Sequence, residues 1–393
     1  MTLKPAAGVT QEPPVSDWQD ASLGDLLTLQ RGFDITKKAQ VPGPVPVVSS
    51  SGTASFHNVA RARGPGVVIG RKGSLGTAFF VDGPYWPHDT TLWVKDFKGN
   101  DPFFCYLLLK TLPLASLDAG SSNPTLNRNH AHTLPVRIPL LRTQQRIAAL
   151  LAAFDELFEI NERRIELLEG LARSLYREWF VRLRYSGRSP NDPPPASWTL
   201  RRLSDVAHIV MGQSPRSEFY NRDGIGLPFH QGVSDYGALL PIHRMFSTVG
   251  SRVAEAGDIL CSVRAPVGRL NLADDELILG RGLAAIRRRD GRVALMLEQL
   301  RHALGAENSI GGGTIFKAVG KDELSSLRVR EAPADVSHDF ESTARVMLDS
   351  RVLLTKQCQA LAATRDLLLP RLVTGRLDIS DIVLGALLPA DEA

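Results

Sequence analysis

"FDELFEINERRIELLEGLARSLYREWF", residues 154–180, stands near the middle of a 393-residue chain and decides its architecture. The stretch holds one glycine and no proline, while both flanks are rich in Pro, Gly and β-branched residues. Steps of four and three residues from Ile147 reach Leu151, Phe154, Phe158, Asn161, Ile165, Leu168, Ala172, Leu175 and Trp179. Eight of these ten positions are large and apolar; Glu156, Glu159, Glu162, Arg163, Arg164, Glu166, Glu169 and Arg173 lie between them. That alternation with charged flanks is a coiled-coil seam, and Asn161 is the kind of lone polar residue that fixes register in one. A helix over residues 143–181 would run about 58 Å at roughly 1.5 Å per residue. A small domain does not need that length, so something else must cover the apolar stripe.

A repeat supplies the cover. Trp18 opens "WQDASLGDLLTLQRG" and Trp198 opens "WTLRRLSDVAHIVMG", with Leu23, Asp25 and Gly32 recurring in step as Leu203, Asp205 and Gly212. "RGPGVVIGRKGSLG", ending at Gly76, parallels "EAGDILCSVRAPVG", ending at Gly268: each is an apolar strand, a basic residue (Lys72 or Arg264) and a glycine turn. "NPTLNRNHAHTLPVRIP" near Thr125 parallels "GGTIFKAVGKDELSSLRV" near Thr314. A long helix follows each block; the second, over residues 335–372, carries Phe340, Met347, Leu354, Cys358, Leu361, Leu368 and Leu372 at heptad-compatible steps. Three blocks and a closing helix recurring in order make a tandem duplication. The fold class is therefore α+β, a mixed strand-rich domain and a long helix, twice, with two seams that pack on each other.

The totals bound the rest. With 43% hydrophobic and 22% charged residues the composition is that of a globular protein, and a net charge of +4 with pI near 9.0 suits a nucleic-acid partner without demanding one. The start of the chain has no apolar core of a signal peptide and reads as a flexible lead-in. No apolar run approaches the roughly 18 residues that cross a bilayer, so no membrane partner is expected. Cys105, Cys261 and Cys358 are scattered and form no CxxC. A reducing cytoplasm is expected, and neither a zinc site nor a disulfide framework.

The long-helix stretch "RTQQRIAALLAAFDELFEINERRIELLEGLARSLYREWFV", the closing "RDLLLPRLVTGRLDIS", the "GDIL" at residues 257–260 and the two Trp-led domain starts resemble the DNA-specificity (S) subunit of Type I restriction–modification systems. The likeness runs from about Trp18 to Ser380. The first domain departs from the pattern, with "PGVV" at residues 65–68 where the second has "GDIL". The resemblance implies two target recognition domains, each reading half of a bipartite double-stranded DNA target, separated by an antiparallel helix pair that sets their spacing. It also implies docking of two methyltransferase subunits, and the presence of restriction (translocase/nuclease) subunits in the complex. The expected divisions are a lead-in at 1–17, recognition domain 1 at 18–140, the central helix at 141–184 and a Pro-rich linker at 185–197. Recognition domain 2 then covers 198–332, the second helix 333–380 and a tail 381–393.

A subunit of this kind should lack catalytic motifs, and the sequence offers none. "DPPP" at residues 192–195 has Pro195 where an adenine methyltransferase places the aromatic that stacks on the flipped base, and reads as linker. "GGGTIFKAVGKD" fails the phosphate-loop pattern because Ile315 stands at its first glycine and Asp322 follows Lys321. "GPGVVIG" has Ile69 at the third dinucleotide-motif glycine. His130 and His132 have no nearby Cys or carboxylate cluster and are expected in a loop or facing DNA, not on a metal. No cofactor is expected in this chain; S-adenosylmethionine would belong to the partner methyltransferase subunits.

Non-catalytic recognition needs cations for phosphates and donors or acceptors for base edges. Arg and Lys can read guanine, Asn and Gln adenine. Glycine-flanked loops present such side chains. The candidates are Arg71, Lys72, Asn127, Arg128 and Asn129 in the first domain, and Arg216, Arg264, Arg281 and Lys317 in the second. Lys72 and Arg264 stand out because they recur at equivalent positions. Trp86 and Trp93 read as core or strand residues. The competing reading is a protein-interaction scaffold whose two domains bind a ligand other than DNA.

Overall fold

A computed structural model describes residues 17–117, 124–185, 197–305 and 318–379. The lead-in before Asp17, residues 186–196 of the linker, Lys317 with the glycine-rich stretch before it, and the tail after Ile379 lie outside the described residues. Two compact units emerge: Met1–Leu157 with Leu361–Ala393, and Phe158–Ala360. Each unit owns one end of both long helices.

In the first unit Trp18–Ser22 pairs antiparallel with Pro135–Pro139. A single helical turn, Leu23–Leu26, follows. Its Asp25 carboxylate accepts from the Ser22 N–H at 2.9 Å and the Ser22 hydroxyl at 2.6 Å, satisfying donors the helix leaves open. The main sheet has the spatial order Thr28–Arg31, Thr91–Asp96, Gly66–Gly70 and Ala78–Val81, antiparallel throughout. A smaller sheet orders Gly52–His57, Val45–Ser49 and Trp86–Pro87, the last pair parallel. The helix Pro102–Thr111 starts with Pro at its first position and Asp101 as cap, whose carboxylate accepts from the Phe104 N–H at 2.7 Å. Its Phe104, Leu107 and Leu108 share one core with Val67, Ile69 and Leu92 of the sheet.

The second unit repeats the plan. Thr199–Arg202 pairs with Arg328–Glu331, Leu203–Val206 is the short helix, and the main sheet runs Ala207–Met211, Leu283–Arg288, Ile259–Ser262, Leu270–Leu272. The helix Val293–Leu304 packs on it. The strands Gly66–Gly70 and Ile259–Ser262 occupy the same place in their sheets, so the departure of "PGVV" from "GDIL" leaves the architecture unchanged. The small sheets differ, with five strands here against three in the first unit.

The long helices span Leu141–Tyr176, continued by a wide turn over Arg177–Val181, and Ala334–Val373. In the first unit Ile147 and Leu151 meet Leu368 and Leu372, and Arg365 Nη1 reaches Asp155 Oδ1 at 2.7 Å. In the second unit Phe158, Ile165 and Leu168 pack with Leu354 and Cys358, and farther along Tyr176 meets Phe340. Within each unit, later positions on the first helix face earlier positions on the second. The pair is an antiparallel coiled coil. Every seam position read from the sequence is at least half-buried, and Asn161 is 1% exposed. Arg351 was not among them, yet it is buried in the second unit, 2.6 Å from Glu169.

Candidate nucleic-acid interface

In the first unit the basic turn after Gly66–Gly70 is pinned on both sides. The Arg71 and Lys72 N–H groups donate to the Thr90 carbonyl at 2.9 and 3.0 Å, and the Leu126 N–H donates to the Arg71 carbonyl at 3.0 Å. Lys72 forms an isolated antiparallel bridge with Thr125. "GRKG" and "LNRNH", distant in sequence, thus lie side by side. Asn127 caps the short helix Arg128–His132, its side-chain oxygen accepting from the Asn129 N–H at 2.9 Å. Arg128 and Asn129 stand exposed on that helix. Burial and the neighbouring Arg31 lower the Arg71 pKa from its usual value, while Asp89 opposes them.

The same frame is built again. The Val263 N–H donates to the Gly282 carbonyl at 2.9 Å, the Val319 N–H donates to the Val263 carbonyl at 2.8 Å, and Arg264 bridges Ala318. Gly76 and Gly268 close the two turns at φ of 74° and 81°, and each N–H crosses its turn at 2.9 Å, to Gly70 and Ser262. Only glycine adopts that backbone freely. Lys72 and Arg264 therefore occupy equivalent positions. Within the third block Ala318 bridges Arg264 as Thr125 bridges Lys72, while Thr314 lies outside the described residues.

Arg216, Arg264 and Arg281 are exposed on loops that touch. Ser214 Oγ donates to Gln231 Oε1 at 3.0 Å and accepts the Arg281 N–H at 3.2 Å, tying the loop of Arg216 to that of Arg281. Arg216 also lies 3.7 Å from Glu218. In the same unit the buried His230 starts a polar chain that runs out through partly buried side chains. His230 Nε2 is 2.9 Å from His243 Nδ1, and His243 Nε2 is 3.1 Å from Asp274 Oδ1. Burial, with the nearby His243, pushes the His230 pKa down to about 4. The unfolded value is about 6.5. Between these limits the unfolded chain binds the extra proton, so this contribution is fully present above pH 6.5 and is lost as pH falls toward 4. Urea unfolding should show roughly 3 kcal/mol lost through this group across that window. A His230 ring that titrates above pH 6 by NMR would contradict this.

Of the two neighbouring histidines of the first unit, His130 is exposed and only His132 departs from expectation. Both stand on the short helix, and His132 faces inward: its Nε2 accepts the Leu29 N–H at 2.9 Å. Burial lowers its pKa, consistent with that neutral acceptor role. Trp86 is buried on a strand edge and donates to the Phe33 carbonyl at 3.1 Å.

Sequence reading missed one feature. Gln30, Arg31, Arg61, Asp89 and Arg128 line an open cleft of about 590 Å³ in the first unit. Arg61 lies over the Trp86 ring at 5.1 Å. Asp34, His88 and Asp89 have polar atoms within 4.8 Å of one another, but Asp89 is already neutralised by Arg31 at 2.9 Å. "LQRG" had registered only as a repeat landmark. No helix among the described residues is long and apolar enough to cross a membrane.

Residues 15–170 match the Type I restriction modification DNA specificity domain. The chain is 28% identical over 263 residues to the putative type I restriction enzyme MjaX specificity subunit of Methanocaldococcus jannaschii, covering 65% of this chain and 62% of that relative. The match thus spans less than two thirds of that relative's length. Against the HindI specificity subunit of Haemophilus influenzae identity is 21%, over 92% of this chain and all of that one (100%). The S subunit of the Type-I restriction-modification system of M. genitalium shares the fold, with a TM-score of 0.67 at 15% identity, covering 92% of this chain and 97% of that one. In its matched segment, its duplicated unit and its paired helices, this chain is similar to the specificity subunits of Type I restriction–modification systems.

Proposed function

We propose that the chain is the non-catalytic, sequence-reading subunit of a Type I complex, in which each unit reads one half of a bipartite double-stranded DNA target. The observation that carries this reading is the basic frame built twice, with Lys72 and Arg264 held alike by backbone bonds on both sides. The small sheets and loops around the two frames differ, which favours two unlike half-sequences. Arg71, Asn127, Arg128, Asn129, Arg216, Arg281 and Lys317 complete the candidate set. Two methyltransferase subunits, which would bring S-adenosylmethionine, dock on the helix pair; restriction subunits join through the assembled complex.

The test has two arms. The purified chain with S-adenosylmethionine should methylate nothing, while addition of cognate methyltransferase subunits should give adenine methylation at one bipartite target. Replacing Lys72 or Arg264 with Ala should then weaken duplex binding by about 1–3 kcal/mol if the side chain reads a base. If it meets phosphate only, all sequences should lose affinity alike and the salt slope should shrink by about one. Duplex binding that neither salt nor either substitution alters would favour the scaffold reading.

A further inference from the structure

Arg31 and Asp89 form a pair that the second unit lacks. Arg31 Nη2 lies 2.9 Å from Asp89 Oδ2, yet the Arg31 side chain remains 55% exposed. The other carboxylate oxygen, Oδ1, is 3.2 Å from His88 Nδ1. His88 Nδ1 itself accepts the Thr90 N–H at 3.3 Å, so Arg31 is the cation that holds Asp89. The exposed part of Arg31 opens into the cleft that Arg61 and Arg128 also line. Backbone holds the pair in place: a Cβ on Gly32 would stand 2.1 Å from the His88 carbonyl oxygen, and the Phe33 N–H donates to the Pro87 carbonyl at 2.8 Å. Glycine is required for that approach.

Equivalent positions in the second unit follow from register. Arg31 faces Leu92 across its sheet as Met211 faces Ala284. The Arg71 N–H bonds the Thr90 carbonyl as the Val263 N–H bonds that of Gly282. Met211 therefore stands where the first unit has Arg31, and Arg281 where it has Asp89. The cation has changed places between two adjacent positions, and only the first unit adds a carboxylate.

A carboxylate in a groove that must accept phosphodiesters opposes binding. Asp89 is already paired with Arg31 through Oδ2. What it does is hold one corner of a planar guanidinium whose side chain stays 55% exposed beside the cleft. Guanine offers O6 and N7 to two parallel donors, and a fixed plane is what that contact needs. We propose that Arg31 reads a guanine in the half-target of the first unit, with Asp89 as its positioning residue. Arg281 does the corresponding work in the second unit from the exchanged position. The inference rests on the specificity-subunit reading.

The experiment is methylome sequencing, with in vitro methylation of duplexes altered one base pair at a time, using the complete complex of the chain and its methyltransferase subunits. Arg31→Ala and Arg31→Lys should each lower discrimination at one G·C pair of one half-target by roughly 10- to 100-fold, leaving the other half unchanged. Asp89→Ala should relax the same base pair while non-specific duplex binding stays equal or rises, since a negative charge is removed. A purely structural role for Asp89 would lower both together. Arg281→Ala should relax the opposite half. A half-target of the first unit without a G·C pair, or Arg31 variants that lose methylation on all sequences alike, overturns the assignment while the specificity-subunit reading stands. An unaltered complex that shows no bipartite target overturns both.

Discussion

A chain carrying Leu167→Asp and Leu353→Asp is expected to fold normally and to support no methylation when mixed with the methyltransferase subunits proposed as its partners. Both leucines belong to the second unit and line one groove on the helix pair, yet they are 53% and 59% exposed. Leu171 and Val346, on the same helices, are exposed too. Apolar side chains left open on an already paired coiled coil mark an interaction face. A partner helix laid into that groove would bury them, as amphipathic helices do elsewhere. Because the sites are solvent-exposed in the free chain, each substitution should alter its stability by no more than about 0.5 kcal/mol. Within the complex, two buried aspartates opposite an apolar helix should weaken assembly by about 100-fold or more. Size-exclusion chromatography of the mixture and a methylation assay read the two effects separately. A double variant that still co-elutes with the methyltransferase and methylates normally would move the docking surface elsewhere.

The second large effect concerns folding. Arg351 is 1% exposed, and its Nη2 donates to Glu169 Oε2 at 2.6 Å. Glu169 also meets Arg173 at 2.7 Å and Arg301 at 3.5 Å, while Arg301 meets the buried Glu298 at 2.7 Å. Burial and the adjacent Arg301 pull the Arg351 pKa down to about 10, so it stays charged at neutral pH. Burial pushes the Glu298 carboxyl up. Glu169 therefore holds several cations together, and Glu169→Gln would strand a buried guanidinium beside two others. Removing one partner of such a pair costs about 3–5 kcal/mol. Urea unfolding should show that loss in the second unit. Replacing both partners, as Glu169→Leu with Arg351→Met, should recover most of it, because an apolar pair leaves no charge stranded. Equal destabilisation by the single and double variants would mean that packing, not charge, is what Glu169 supplies.

Arg351 also marks where one-dimensional reading stops. The four-three alternation from Ile147 to Trp179 was legible because a helix turns every 3.6 residues, so burial leaves a periodic trace. A charged residue at a buried position leaves the opposite trace, and only the three-dimensional placement of Glu169 beside it explains why the chain accepts it. The duplication was legible for a related reason. Gly32 and Gly212 repeat because a side chain at either would strike a carbonyl oxygen at 2.1 Å, and that steric rule acts on sequence directly.

The sequence by itself determined the tandem plan, the two long helices, the seam and the kinship of Lys72 with Arg264, all of which rest on local periodicity or on glycine at fixed points. Only the tertiary structure decided that Ala318 lies opposite Arg264, that His132 faces inward to accept from Leu29, and that Arg31 meets Asp89. These are long-range pairings, set by strand register and by loops that approach from distant parts of the chain. A periodicity cannot encode them, because neither partner's sequence neighbourhood carries any mark of the other.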